Sequence, residues 1–366
     1  ELVREIASNC GASGILFASG DTCQSYSARA ASVISAFTGR TAVDAGREPI
    51  PGTLGLTDFL KKGTWNQDAS SFGSEHPLFI LYANSAAGVP RGSVFATGGY
   101  LVQAAASYDY MFRSPMNGAG VNAIVCALDL ASAAGQCYCL WGPLANGATI
   151  VIAAQGLESQ ADRFRRVLGT CDTAALLATP TLLAELKNEL GDEPLSRDRS
   201  FRLVALSGDV LKPRHINFAA RSLTTSPDLV LNLWVQTECG SAIISTWPDT
   251  ELNRPGALGL PFPGIRPLVV NYLGQPCRPN ESGQLVFASS WPSMIRTIWG
   301  QDERYRQLYF RRVPGYYGTN DGARVDGDDF FWFMGRLDDV IKVRGQSLAT
   351  SEVEAVLIAH PSVAEA

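Results

Sequence analysis

The sequence predicts an α/β protein built on mostly parallel sheets flanked by helices, joined to a small β-barrel-like subdomain and to the start of another domain. Three observations carry this. Short apolar runs of strand type alternate with amphipathic helical stretches through the first two thirds of the chain. From about residue 254 the texture changes to Gly- and Pro-dense segments with short alternating runs, the pattern of antiparallel strands. The length, 366 residues at 46% hydrophobic and 18% charged, is enough to bury one large core or two ordinary ones.

In order, the strand-type runs are "GILFA" at 14, "LFILY" at 78, "ATIVIAA" at 148, "TAALLAT" at 173, "FRLVALS" at 201 and "LVLNLW" at 229. Helical patterns stand between them in "GGYLVQAAASYDYMF", "ESQADRFRRVLGT" (158 to 170) and "TPTLLAELKNEL" (179 to 190), the last opening on Thr-Pro as a helix N-terminus does. Strand then helix, repeated, requires a parallel sheet covered on both faces. A third change comes at "GRLDDVIKVRGQSLATSEVEAVLIAHP", where a polar turn and a strand lead into a helix capped by "TSEVE". The expected division is an α/β core over 1 to 253, a β-rich subdomain over 254 to 335, and a hinge with the start of a C-terminal domain over 336 to 366. Both ends read as interior to a longer polypeptide, since "ELVREIASNC" starts inside a helical pattern.

A formal net charge of -5, with Lys and Arg scattered, provides no basic field for nucleic acid, and no nucleic-acid partner is expected. No apolar run approaches the ~18 residues of a membrane helix. The eight cysteines form no CxxC pair, and "CYC" at 137 to 139, the one close spacing, reads as two small apolar side chains on a strand, a poor metal clip. Free thiols suit a reducing compartment, so the expected location is cytoplasmic. His76, His215 and His360 are isolated and read as surface or capping residues.

Three stretches carry chemistry. "LFILYANSAAGVPRGSVFATGG" (78 to 99) ends an apolar run in a small-residue loop, with Pro90 between Gly88 and Gly92 and the cation of Arg91 beside them. A loop there suits a ligand at the carboxyl edge of a sheet. It lacks the GxxxxGK[ST] pattern, and a plain Gly/Pro connection is its ordinary alternative. "LNLWVQTECG" ends a strand in Gln236, Thr237 and Glu238, a hydroxyl and a carboxylate that suit a magnesium ion bridging phosphates or, equally, a helix N-cap. In "YYGTNDGARVDGDDFFWFMGRLDDVIKVRG", Asp321 reads as a turn residue able to take two hydrogen bonds from a ribose diol, with Arg336 in reach of a phosphate. A solvated Asp in a hairpin turn is the default there.

Five stretches, "ATGGYLVQAA" (96 to 105), "LWGPLANGATIVI" (140 to 152), "WPSMIRTIWGQDERY" (291 to 305), "PGYYGTNDGA" (314 to 323) and "GRLDDVIKVRG" (335 to 345), stand in family order. They resemble the adenylate-forming superfamily of acyl-CoA synthetases, peptide-synthetase adenylation domains and luciferases, in particular its acetyl-CoA synthetase branch. The resemblance runs over essentially the whole chain. It implies the large core of that fold, with the mobile C-terminal domain largely absent.

Such enzymes join a carboxylate to ATP, release pyrophosphate, and pass the acyl group to a thiol. The implied cofactors are ATP, Mg2+ and, as acceptor, CoA or the phosphopantetheine of a carrier protein. Carried over by position, Gly208 and Asp209 line the adenine side, with Val210 where the family has proline. Trp234 and Gln236 belong to the nucleotide segment, which opens on Asn232 and Leu233 in place of Asp and Thr. Thr237 touches the α-phosphate, Glu238 holds magnesium, Asp321 grips the ribose, Arg336 meets ribose or phosphate, and Asp338 is the hinge. In the phosphate loop the expected nucleotide contacts are Ser85, Gly88, Arg91 and Gly92: both glycines are kept, Arg91 keeps a cation where the family has lysine, and Ser85 stands where the family has glycine. Three hydroxyl donors and one glycine of the family pattern are gone. Hydrogen bonds to a charged group contribute ~1.5–3 kcal/mol each, so these losses weaken the expected grip on β- and γ-phosphates.

The implied acyl pocket departs in one direction. Val235 replaces the floor tryptophan of acetyl-specific members, Ser132, Ala133 and Ala134 replace larger wall residues, and Ser207 replaces an apolar one. The expected substrate is therefore a carboxylic acid larger than acetate. Two functions stay open: an ATP-dependent acid–thiol ligase using Thr237, Glu238 and Arg91, and a degenerate adenylation fold kept as a scaffold or ligand-binding domain.

Overall fold

The computed structural model describes residues 53–63, 70–83, 91–113, 120–152, 159–171, 174–191, 193–208, 211–248 and 254–337, with shorter pieces at 6, 9–10, 12, 14–17, 41–44, 340–343, 346–349, 353, 356–357 and 363. Ser85, Gly88, Asp209 and Asp338 lie outside the described residues, as does most of the "TSEVE" segment. The chain divides into two compact units, one of residues 1–73 and 82–92 and one of 74–81 and 93–366. In the first, Gly14–Phe17, Thr41–Asp44 and Leu54–Gly55 pair as a parallel sheet, and the Tyr82 hydroxyl donates to Asn9 Oδ1 at 2.6 Å.

The second unit is organised by a seven-stranded sheet. Its strands are β1 (Ala123–Cys126), β2 (Thr149–Ile152), β3 (Ala174–Ala178), β4 (Leu203–Leu206), β5 (Val230–Val235), β6 (Ala242–Ser245) and β7 (Leu260–Pro261). They lie in the order β7-β6-β5-β4-β3-β1-β2. The first five are parallel and the last two antiparallel. Side chains alternate between two cores, as the two-residue period of a strand requires. Ile124, Ala175, Leu177, Leu203, Ala205, Leu231 and Leu233 enter one; Val125, Leu176, Val204, Leu206 and Val230 enter the other. Helices Gln160–Thr170, Pro180–Leu190 and Pro213–Ser222 supply much of the rest of that second core. Thr179 caps the middle one by accepting from Leu182 N at 3.2 Å, which is why its Thr-Pro start is legible in the sequence.

A second, antiparallel sheet comes next in the chain: β8 (Pro267–Val270), β9 (Ser282–Phe287), β10 (Tyr317–Val325) and β11 (Phe331–Arg336), in that order. It joins the first sheet by backbone bonds, Leu258 N to Phe331 O at 2.8 Å and Phe331 N to Gly259 O at 3.0 Å.

Three local expectations are corrected. Residues 137 to 139 are helical, in a π-turn Cys137–Trp141 that continues the helix Ala133–Gln136, and both thiols are buried among the apolar residues of the first core. Asp321 sits within the nine-residue strand β10 and is 3% exposed, so it is no turn residue. A strand, Arg91–Ala96, precedes the helix Thr97–Tyr108, although the apolar runs read from the sequence include no strand there.

Candidate active site

Strands β1, β3, β4 and β5 run parallel, so their carboxyl ends reach one edge of the sheet, where α/β proteins bind ligands. The segments leaving those strand ends supply the side chains of the site. After β1, Ser132 N-caps the helix Ala133–Gln136: its Oγ donates to Asp129 O at 2.6 Å and accepts from Gly135 N at 3.0 Å. After β4 come Ser207, whose amide donates to Ala178 O at 3.1 Å, and Gly208. After β5 come Gln236 and the short turn Thr237–Cys239, which packs against the helix Ala133–Gln136. Ala133 and Ala134 are buried, and Val235 packs half-buried on the same core. The residues expected to form an acyl wall thus share this edge with Thr237 and Glu238.

Asp321 is the charge at the joint between the two sheets. Its Oδ2 accepts from Trp234 Nε1 at 3.1 Å and from Gln236 Nε2 at 3.0 Å. The Arg336 guanidinium stands 3.7 Å from Oδ1. Burying polar oxygens this deeply is tolerated because donors from both sheets meet them. Gln236 also donates its amide to Thr319 O at 3.0 Å, and Thr319 Oγ1 accepts from the Asp321 amide at 3.1 Å. Arg336 comes opposite Asp321 through a bulge. Ala323 pairs with Phe333, so a regular ladder would bring Gly335 opposite Asp321, yet the observed partner is Arg336. Gly335 takes φ 97°, which a side chain rarely adopts, and absorbs the extra residue. Beside them, Arg312 Nη1 donates to Asn320 Oδ1 at 2.6 Å.

Glu238 is held from the segment 291–309. The Tyr309 hydroxyl donates to Glu238 Oε1 at 2.5 Å, and Ile295 N donates to Glu238 O at 3.1 Å. The next carbonyl, Cys239 O, accepts from Trp291 Nε1 at 3.0 Å and Ser293 Oγ at 2.6 Å. Burial first, then the Glu238 carboxylate, pushes the Cys239 thiol well above its ordinary range, so it is no nucleophile. Among the described residues no group of three His, Cys, Asp or Glu side chains could hold a metal. A single carboxylate still fits Mg2+, which keeps waters and takes most of its oxygens from substrate phosphates.

Residues 1–299 match the protein family described as AMP-binding enzyme. The chain belongs to the AMP-binding enzyme family. Among its relatives, it is 38% identical over 296 residues to the acetyl-coenzyme A synthetase of Chlorobaculum tepidum, covering 80% of this chain and 44% of the relative. It is 35% identical over 326 residues to that of Syntrophobacter fumaroxidans, covering 87% of this chain and 49% of the relative. The chain therefore spans about half the length of these curated relatives. The solved anthranilate CoA ligase AuaEII, in complex with anthranoyl-AMP, shares the fold at TM-score 0.79 and 21% identity, over 99% of this chain and 66% of that one.

Within this family member, Trp234, Gln236, Asp321 and Arg336 are brought together, and Thr237 and Glu238 stand at the same strand end. Arg91 opens its strand, and its Nε is buried with no partner among the described residues. Gly92 is the second residue of the same strand. Asn232 is a pin between segments: its Nδ2 donates to Ala257 O at 2.9 Å and its amide to Thr246 Oγ1 at 2.7 Å. Leu233 is buried core. Sequence reasoning missed Tyr309, Trp291 and Ser293, although two of them lie in the stretch "WPSMIRTIWGQDERY". Their aromatic and hydroxyl character announces packing, and only the fold shows that they face the Glu238 turn.

Proposed function

We propose that this chain is the nucleotide-binding part of an ATP-dependent acid–thiol ligase that adenylates a carboxylic acid larger than acetate. The observation that carries the reading is the buried carboxylate of Asp321, held by Trp234, Gln236 and Arg336 at the joint of the two sheets. A fixed acceptor beside a cation suits a ribose diol next to a phosphate. Thr237 would donate to the α-phosphate, and Gly208 and Asp209 would line the adenine. Ser85, Gly88 and Gly92 would offer loop donors, and Arg91 its charge. Asp338 would be the hinge to a C-terminal domain.

A bound magnesium would neutralise phosphate charge as pyrophosphate leaves, and Glu238 is the carboxylate that would hold it. The chain's own residues orient ribose and phosphates so that the acid's oxygen meets the α-phosphorus, with no protein nucleophile required. Val235, Ser132, Ala133, Ala134 and Ser207, small and grouped at one sheet edge, leave room for a longer acid. The acceptor would be CoA or a carrier-protein pantetheine, in the cytoplasm. Pyrophosphate exchange across a series of acids tests the reading: best turnover with acetate would remove the larger-acid assignment.

The second reading is a degenerate adenylation fold, a scaffold or ligand-binding domain. It is favoured by the thinned donor set of the 83 to 92 loop and by Asn232, where the family carries a carboxylate and this chain commits the side chain to Ala257 O. Calorimetry with ATP and Mg2+ separates the two, since absence of binding at millimolar nucleotide would defeat the ligase.

A further inference from the structure

We propose that Tyr309 is the positioning residue for Glu238, fixing one carboxylate oxygen so that the other is presented to a cation. This rests on the reading of Glu238 as the magnesium carboxylate. The hydrogen bond from the Tyr309 hydroxyl to Oε1, at 2.5 Å, has the length of a charge-assisted O–H···O⁻ contact. No other side chain among the described residues bonds that carboxylate. Tyr309 itself cannot swing: it is 4% exposed and lies face to face with Tyr317, centroids 5.1 Å apart and planes at 2°. Tyr305, one turn earlier on the helix Asp302–Tyr309, donates to Ile295 O at 3.0 Å, and Ile295 N bonds Glu238 O. One segment therefore holds Glu238 by its backbone and by its side chain.

The donor's chemistry matters to the role. An Arg or Lys at this place would cancel the charge that a cation site needs. A phenol is an uncharged donor: it fixes the rotamer and adds no positive charge beside the carboxylate that a hard metal would meet. A carboxylate with one oxygen so fixed loses little further freedom when the metal arrives, the usual gain from preorganisation.

The test is the Mg2+ dependence of ATP binding by calorimetry, with thermal unfolding of each unliganded variant as a check on folding. Tyr309→Phe keeps the ring and its stacking; we expect it to need about tenfold more Mg2+ for half-maximal ATP binding, as loss of one charge-assisted bond predicts. Glu238→Gln is expected to raise the requirement at least as far. Tyr317→Phe is the packing control, because that hydroxyl is buried and has no partner among the described residues. Its Mg2+ requirement should match the wild type. An unchanged requirement in Tyr309→Phe, with Glu238→Gln shifted, overturns the positioning role and leaves the magnesium reading intact. Equal shifts in Tyr309→Phe and Tyr317→Phe overturn it in favour of packing. No shift in Glu238→Gln overturns the magnesium reading and the positioning role together.

Discussion

The indole of Trp234 donates to Asp321 Oδ2 at 3.1 Å, a buried bond that joins positions 87 residues apart. One partner lies next to the end of strand β5 in the seven-stranded sheet, and the other lies inside a strand of the antiparallel sheet. The bond is therefore a fastening of the fold as well as a part of the candidate site.

Trp234→Phe keeps an aromatic ring in contact with Phe287 and removes the N–H. With Asp321 buried, loss of a donor to its charge should cost ~1.5–3 kcal/mol. Urea unfolding should show a lower midpoint at unchanged slope, and ATP binding should weaken in parallel.

Gly240→Ala tests the clamp behind Glu238. Gly240 has φ 76°, and a Cβ there would stand 2.7 Å from Phe95 Cε1 and 2.8 Å from Ser293 O. The left-handed backbone alone costs ~1 kcal/mol or more for a residue with a side chain, and the contact with a backbone oxygen adds to it. Denaturant unfolding should report the loss directly.

Val235→Trp should restore bulk at the end of β5. If Val235 borders the acyl pocket, pyrophosphate exchange should shift toward shorter acids by about tenfold or more, with folding unchanged.

Asp326 gives a pH signature. Burial opposes its charge, but Trp332 Nε1 at 2.8 Å, the amides of Phe330 and Asp328 at 3.0 Å, and the nearby Arg324 together hold its carboxyl below the usual range. A folded value below the unfolded one means that the stabilisation is present above about pH 4 and is lost as pH falls through the folded value. The stability gap between wild type and Asp326→Ala should be constant at neutral pH and shrink below about pH 4.

Much of the frame is legible in the sequence because period and punctuation agree. The apolar runs at 173, 201 and 229 are strands buried on both faces, and Thr179-Pro180 begins its helix where the capping chemistry says. Asp321 reads as a turn residue because a polar residue among glycines resembles one, and only the arrival of Trp234 and Gln236 from another sheet makes a strand interior tolerable to it. The bulge that brings Arg336 opposite Asp321 has no local signature beyond a glycine. "CYC" reads as extended because its alternation fits a strand, while the helix Ala133–Gln136 before it extends the turn through those residues.

The joint between the sheets also sets an order of events. Trp234 and Gln236 meet Asp321 across 87 and 85 residues of chain, so these bonds close only after both sheets exist. If this joint is the nucleotide site, competence for nucleotide should be among the last properties that a refolding chain acquires. A nucleotide binding there would draw the equilibrium toward the closed joint by mass action, so ligand added during refolding should rescue a weakened joint more than a weakened core.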